Sequence, residues 1–504
     1  MHSTSSVRAV ENALGIVIPD NARIIRNLIN AIQYIQDHVI HFYHLHALDW
    51  VDVMSALKAD PVKTASLAQS ISNWYNSSPT HFRAVQNKLK AFVESGQLGL
   101  FASGYWGHPA YKLPPEANLM AVAHYLEALD WQKDVIRMQA LLGAKNPHPQ
   151  TYLVGGMSIP VDPNSQNAIN AGSLAFMKDI ARKSLDFVSQ VYIPDLLAVA
   201  SFYKEWASIG GGVRNYISVG EFQNDNISNT TNCWLPGGFI RNRDLTKLEP
   251  VDHMKITEDV ARAWYKYGDG DDKAKHPWDG ETTPNYTGPK PPYKSLRTDQ
   301  KYSWVKAIRY DGLPTEVGPL SRMLVAYVAG HTRVREVVDM VLKKLGVGLN
   351  ALFSTLGRTA ARGIETLLIA EMMPNWIDEL AGKMKAGDLK IHADDKWDPS
   401  KWPKLARGYG FHEAPRGFLG HWVVIMDGVV QNYQCVVPGG WNSSPRDAAG
   451  QRGPYEEALI GTPIAYPDKP VEILRTIHSF DPCMACAIHL VDSGHNPIIN
   501  VKVR

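Results

Sequence analysis

A helical period begins at Pro19-Asp20 and constrains this chain more than any other pattern in it. Ile24, Ile25, Leu28, Ile32, Ile35 and Val39 recur three or four residues apart, the spacing of one helix face. Asp20 is placed to cap that helix. A second long helix is expected from Pro114-Pro115-Glu116. Leu119, Val122, Ala123, Leu126, Leu129 and Ile136 carry it, and Gly143 is the expected stop. Helical periodicity returns over 321–345 and 349–373. The β signal is small and late: Trp422–Met426 and Tyr433–Val437 flank the turn Asp427-Gly428. Gly155-Gly156 and Gly210-Gly211-Gly212 mark turns, and no Lys-Ser or Lys-Thr follows the triple glycine to make a phosphate loop. Residues 268–292, rich in Gly, Pro, Asp and Lys, read as a surface loop. No internal repeat is visible. The expected class is mainly α with a small β portion (α+β).

With 504 residues, 45% of them hydrophobic, the chain can bury a large core. Its 52 basic and 50 acidic residues leave a net charge of +2 and no polybasic block, so nucleic acid and anionic membrane find little to hold. Four cysteines (Cys233, Cys435, Cys483 and Cys486) cannot staple a chain this long, which excludes a secreted disulfide scaffold. No run of 18 apolar residues is present to span a bilayer. Met1 to Arg8 holds no apolar signal core.

The chemistry concentrates in Asp481-Pro482-Cys483-Met484-Ala485-Cys486-Ala487-Ile488-His489. Two thiols and an imidazole sit on adjacent turns, with Pro482 fixing φ at the approach. Thiolates this close suit nickel, zinc, copper(I) or iron–sulfur binding, or a redox disulfide. A structural zinc site takes four protein ligands, and this segment supplies three. His38, His41, His44 and His46 form a second eye-catching group. Their irregular spacing favours packed or surface histidines over metal ligands.

The stretch Asp-Pro-Cys-x-x-Cys-x-x-His resembles the C-terminal metal-binding signature of nickel–iron hydrogenase large subunits. Ser6–Glu11, Ile18–Ala22, Gly107–Pro109, Pro147–Pro149, Glu316–Leu320, Ser354–Arg358, Glu413–Gly417 and Ser444–Asp447 look like further segments of that family, in its order. The details look most like the membrane-bound uptake class. The resemblance implies the family fold, a long helical bundle around a buried metal site. It implies heterolytic cleavage of H2 at a Ni–Fe centre whose iron carries CO and cyanide, with electrons passed to an iron–sulfur small subunit. No iron–sulfur cysteine pattern remains in this chain to carry clusters itself. Further implied partners are a membrane cytochrome b, a maturation endopeptidase and nickel-insertion factors. The implied location is the periplasmic face of the cytoplasmic membrane, peripheral and exported with the small subunit.

Carried over residue by residue, the resemblance makes Cys483 a terminal nickel ligand and first proton acceptor, and Cys486 a bridge between nickel and iron. Arg416, after Pro415, would hang over the metal, with Asp481 and Asp37 beside it; Lys could not match its fixed fork of donors. Pro438 and Gly439 match a cyanide-contacting position, where the family has a hydroxyl residue and Gly439 has no side chain. His489 and the backbone carbonyl of Cys435 would hold a magnesium (or iron) ion, which leaves the Cys435 thiol as a buried, inert group. Residues 1–489 then form the large-subunit domain, and 490–504 a C-terminal extension removed on maturation. The family's other cysteine motif, Cys-Gly-x-Cys-x-x-x-His, is matched here by His2 without its two cysteines. The expectation is a chain lacking its N-terminal segment and inactive alone. The competing readings are a metal-free relative of the same fold, like a quinone-reductase subunit, and a zinc-binding structural protein.

Overall fold

The computed structural model describes residues 1–96, 101, 104–289, 297–482, 487–491 and 497–502, the last two stretches as backbone. Helix α1, His2–Leu14, ends at Gly15 in the left-handed conformation (φ 65°), whose N–H closes back on Asn12 and Glu11. Helix α2 spans Asp20–Ile40. Asp20 does not cap it. Pro19, extended at ψ 154°, occupies the cap position, so Asp20 falls in the first turn and pairs with Lys383 instead. Leu28, Ile32 and Ile35 are fully buried, each contributing about 1.5–3 kcal/mol. Arg26 on the same helix grips Glu11 through two bonds of 3.0 and 2.7 Å, which ties α2 to α1. The helix then widens into a π turn over His41–His46.

Helix α3, Pro115–Val135, stops before the expected Gly143. A separate helix, Arg137–Gly143, follows it. Helix α4, Ala171–Phe187, continues through a π turn into α5, Ile193–Phe202. This stretch is long and apolar enough to cross a membrane by length and composition, at mean hydropathy 1.3. Ile180, Phe187, Val191 and Leu196 nevertheless belong to the main core. An antiparallel hairpin, β1 (Tyr216–Gln223) with β2 (Cys233–Ile240), lies mid-chain, where no strand was expected. The loop expected over 268–292 contains part of a small hairpin, Tyr265–Tyr267 with Thr282–Pro284. The region 321–345 divides into α6, Pro319–Val328, and α7, Thr332–Leu345, because Gly330 turns at φ 86° and His331 caps α7. Helix α8, Thr355–Lys385, is capped by Ser354 and runs past the expected end at 373, through Pro374.

Strands β3 (Leu405–Ala414), β4 (Gly417–Met426) and β5 (Val429–Val436) form an antiparallel sheet in the order β5-β4-β3. Asp427 (φ 49°) and Gly428 (φ 78°) make the expected tight turn. Helix α1 lies directly on β3. A Cβ on Gly410 would stand 2.0 Å from the Ser5 carbonyl oxygen, so only glycine admits the helix there. A short helix α9, Pro438–Asn442, and then α10, Val471–Ser479, lead to Asp481. Strands β6, Ala487–Val491, and β7, Pro497–Lys502, pair antiparallel; the boundary expected between 489 and 490 falls inside β6.

Candidate active site

Arg416 occupies the two-residue turn Pro415-Arg416 between β3 and β4. The turn needs glycine next. Gly417 has φ +133°, and a Cβ there would meet Val317 Cγ2 at 2.5 Å. Arg416 Nε donates to Asp481 Oδ1 at 3.1 Å, and Nη1 donates to Asp37 Oδ2 at 3.2 Å. One guanidinium therefore bridges an acid from α2 and an acid just past α10. Burial pushes the Asp37 carboxyl up to about 6 against the pull of Arg416. Asp481 is left-handed (φ 57°) and buried, with its N–H on the His478 carbonyl at 2.9 Å. Its Oδ2 has no hydrogen-bond partner among the described residues. A buried, unpaired acceptor two residues before Cys483 suits a site completed by a further group, and soft thiolates are the donors nickel favours. Cys483 and Cys486 lie outside the described residues, as does the side chain of His489.

The turn is held from behind. Tyr34 donates to the Glu413 carbonyl, while Arg322 donates to the carbonyls of Ala414 (2.9 Å) and Pro415 (2.8 Å). Arg322 is clamped by Glu365 (2.5 and 2.7 Å) and Glu413 (2.9 Å). Burial lifts Glu413 to about 7. Glu365 titrates near 2: burial opposes ionisation, and the charge and bonds of Arg322 outweigh it.

Each histidine of the group at 38–46 has a protein partner. His38 meets Glu365 (2.8 Å), and burial lowers it to about 4. His41 bonds the His478 carbonyl (2.6 Å), and His44 the Tyr125 carbonyl (3.1 Å). His46 shares Asp49 Oδ2 with His478, at 2.9 and 2.7 Å. Nothing in the spacing of Asp49 and His478, 429 residues apart, announces their contact in the sequence.

Pro438 and Gly439 open α9, directly after β5. Cys435 corrects an expectation. Its residue is exposed rather than buried, because β5 is an edge strand of the sheet, whereas α1 covers the other edge strand, β3. Partial burial and the charge of Glu258 still hold its thiol above the usual range.

Several segments singled out in the sequence prove to be buried clamps. Arg358 grips Glu316 at 2.7 and 2.9 Å, and Arg309 meets Asp447 at 2.7 Å and Ser444 at 3.1 Å.

A family model described as nickel-dependent hydrogenase matches residues 1–489. The chain belongs to the nickel-dependent hydrogenases. The uptake hydrogenase large subunit of Bradyrhizobium diazoefficiens is 50% identical over 519 residues, covering 100% of this chain and 86% of that protein. The Hydrogenase-1 large chain of Escherichia coli is 46% identical over 518 residues, with the same coverage. Among solved structures, the Ni-Fe-Se hydrogenase of Desulfovibrio vulgaris Hildenborough, in its as-isolated oxidized state, superimposes with a TM-score of 0.72. It is 31% identical and covers 95% of this chain and 85% of that one. The expected fold is therefore the observed one, and this hydrogenase large subunit is an oxidoreductase acting on H2. Large subunits of this family generally pair with a small subunit.

Proposed function

We propose that this subunit oxidises H2 at a Ni–Fe centre held in part by Cys483 and Cys486, and passes the electrons to an iron–sulfur small subunit. The observation that carries the reading is the Arg416 bridge between Asp37 and Asp481, immediately before the cysteine pair. When bound, a Ni–Fe centre with CO and cyanide on iron would supply the two-electron oxidation of H2 to two protons. The Cys483 thiolate would take the first proton at Sγ. Arg416 keeps a fixed cation beside the segment that carries Cys483, and its two carboxylates hold the guanidinium in one orientation. Pro438 and Gly439, at the start of α9, would take the cyanide-contacting position. His489 and the Cys435 carbonyl would hold a magnesium or iron ion.

The family match ends at residue 489. That supports residues 490–504 as an extension removed by a maturation endopeptidase after nickel insertion. The likeness to the membrane-bound uptake class supports a peripheral position at the periplasmic face, with a membrane cytochrome b accepting electrons from the small subunit.

The test is metal analysis and H2-driven dye reduction on the full-length large subunit purified with its small subunit. Nickel and iron together, and loss of uptake in Cys483→Ser, are the expected results. Zinc alone, or undiminished uptake in Cys483→Ser, overturns the reading.

A further inference from the structure

Arg322 contacts neither Asp37 nor Asp481, yet it is built into the turn that presents Arg416. All five of its N–H groups are used. Nε and one Nη2 proton go to the two oxygens of Glu365, and one Nη1 proton goes to Glu413 Oε2. The remaining two go to the backbone carbonyls of Ala414 and Pro415. The side chain is fully buried, and its guanidinium lies 5.1 Å from the Tyr34 ring centroid. Tyr34 in turn donates to the Glu413 carbonyl. Three successive carbonyls on the approach to Arg416 are thus fixed by two buried side chains, one on α2 and one on α6. Glu365, on α8, is itself held by His38 of α2, one residue from Asp37.

We infer that Arg322 is a positioning residue for H2 cleavage: it sets the Pro415-Arg416 turn so that the Arg416 guanidinium reaches Asp37 and Asp481 together. The inference rests on the reading of Arg416 given above. Lysine brings three donors on a flexible stem and cannot serve five acceptors in a plane. Arg322→Lys keeps the charge that Glu365 and Glu413 need, but it releases at least one of the two carbonyls. A shift of about 1 Å in a positioning group is enough to cost about a hundredfold in rate.

The experiment uses the full-length subunit in complex with its small subunit and compares Arg322→Lys, Arg416→Lys and the double variant. Arg322→Lys is expected to keep wild-type nickel and iron and an unchanged KM for H2. Its kcat should fall at least about tenfold. The infrared bands of the diatomic ligands on iron should shift in the same direction as in Arg416→Lys. The double variant should be no slower than Arg416→Lys alone, since both changes act through one guanidinium. Wild-type kcat and bands in a metal-loaded Arg322→Lys, or losses that multiply in the double variant, overturn the inference. If Arg322→Lys does not load metal, Tyr34→Phe replaces it, removing one carbonyl bond from the same turn. A loaded Tyr34→Phe enzyme with slower turnover and shifted bands supports the inference, and one unchanged in both overturns it. Wild-type turnover in Arg416→Lys overturns the Arg416 reading itself, a result distinct from either.

Discussion

Arg416 Nε and Asp481 Oδ1 stand 3.1 Å apart across 65 residues of chain, and the same guanidinium reaches Asp37 across 379. Two carboxylates on one arginine fix its orientation as well as its charge. Arg416→Lys should retain nickel and iron while H2 oxidation falls about 10²–10³-fold, the usual cost of removing one preorganised donor from an active site. Dye-linked uptake assays normalised to nickel content measure it.

Asp37 gives this bridge a pH limit. Burial pushes its carboxyl up to about 6, so below that pH it is increasingly neutral and its pull on Arg416 weakens. Uptake activity should decline as pH falls through about 6. Asp37→Asn should lose that inflection and run at a low, flatter level across the same range. A pH profile of kcat on both enzymes decides it; an unchanged inflection in Asp37→Asn assigns the limb to another group.

Glu413 predicts a pH effect on stability. Its folded value of about 7 lies above the ordinary 4.5, so the folded state binds more protons between those limits. The contribution is fully present below about pH 4.5 and is lost as pH rises through about 7. Glu365, Arg322 and Glu221 surround the same group and titrate outside this window. Glu413→Gln should therefore flatten the dependence of the urea midpoint on pH between 5 and 8. The difference is on the order of 1–3 kcal/mol between the two ends.

Arg358 tests the clamps. It binds Glu316 twice, takes the Gly210 carbonyl at 2.6 Å, and lies 3.8 Å from the Phe480 ring centroid. Arg358→Ala strands a buried carboxylate and should cost about 3–5 kcal/mol, read as a lower thermal midpoint. Arg358→Ala/Glu316→Ala, which removes both charges, should recover part of that loss.

The helical body was legible because its apolar spacing is local. Ile24 to Val39 announced α2, and Asp427-Gly428 announced its turn. Asp20 stands one residue inside the helix because Pro19 takes the cap position, which the residue order alone does not decide. Strand β3 was missed because Gly408 and Gly410 interrupt its alternation, and they do so to admit α1. The exposure of Cys435 depends on β5 lying at the sheet edge, a property of the neighbours a strand lacks rather than of its own residues. At the site, residue types marked Arg416, Asp37 and Asp481 through a family pattern. Their meeting is long-range, and Arg322 carried no signal at all, since one arginine among the helical apolar residues of α6 looks like a surface charge.

The distances along the chain between Arg416 and its two acids also order the folding of the molecule. Contacts spanning 65 and 379 residues form after local helices and hairpins, because the entropy of closing such loops must be met before the contacts stabilise anything. The Arg416 bridge accordingly closes late, onto helices and hairpins already formed. A chain halted before that step is already helical, so its circular dichroism resembles that of the finished subunit.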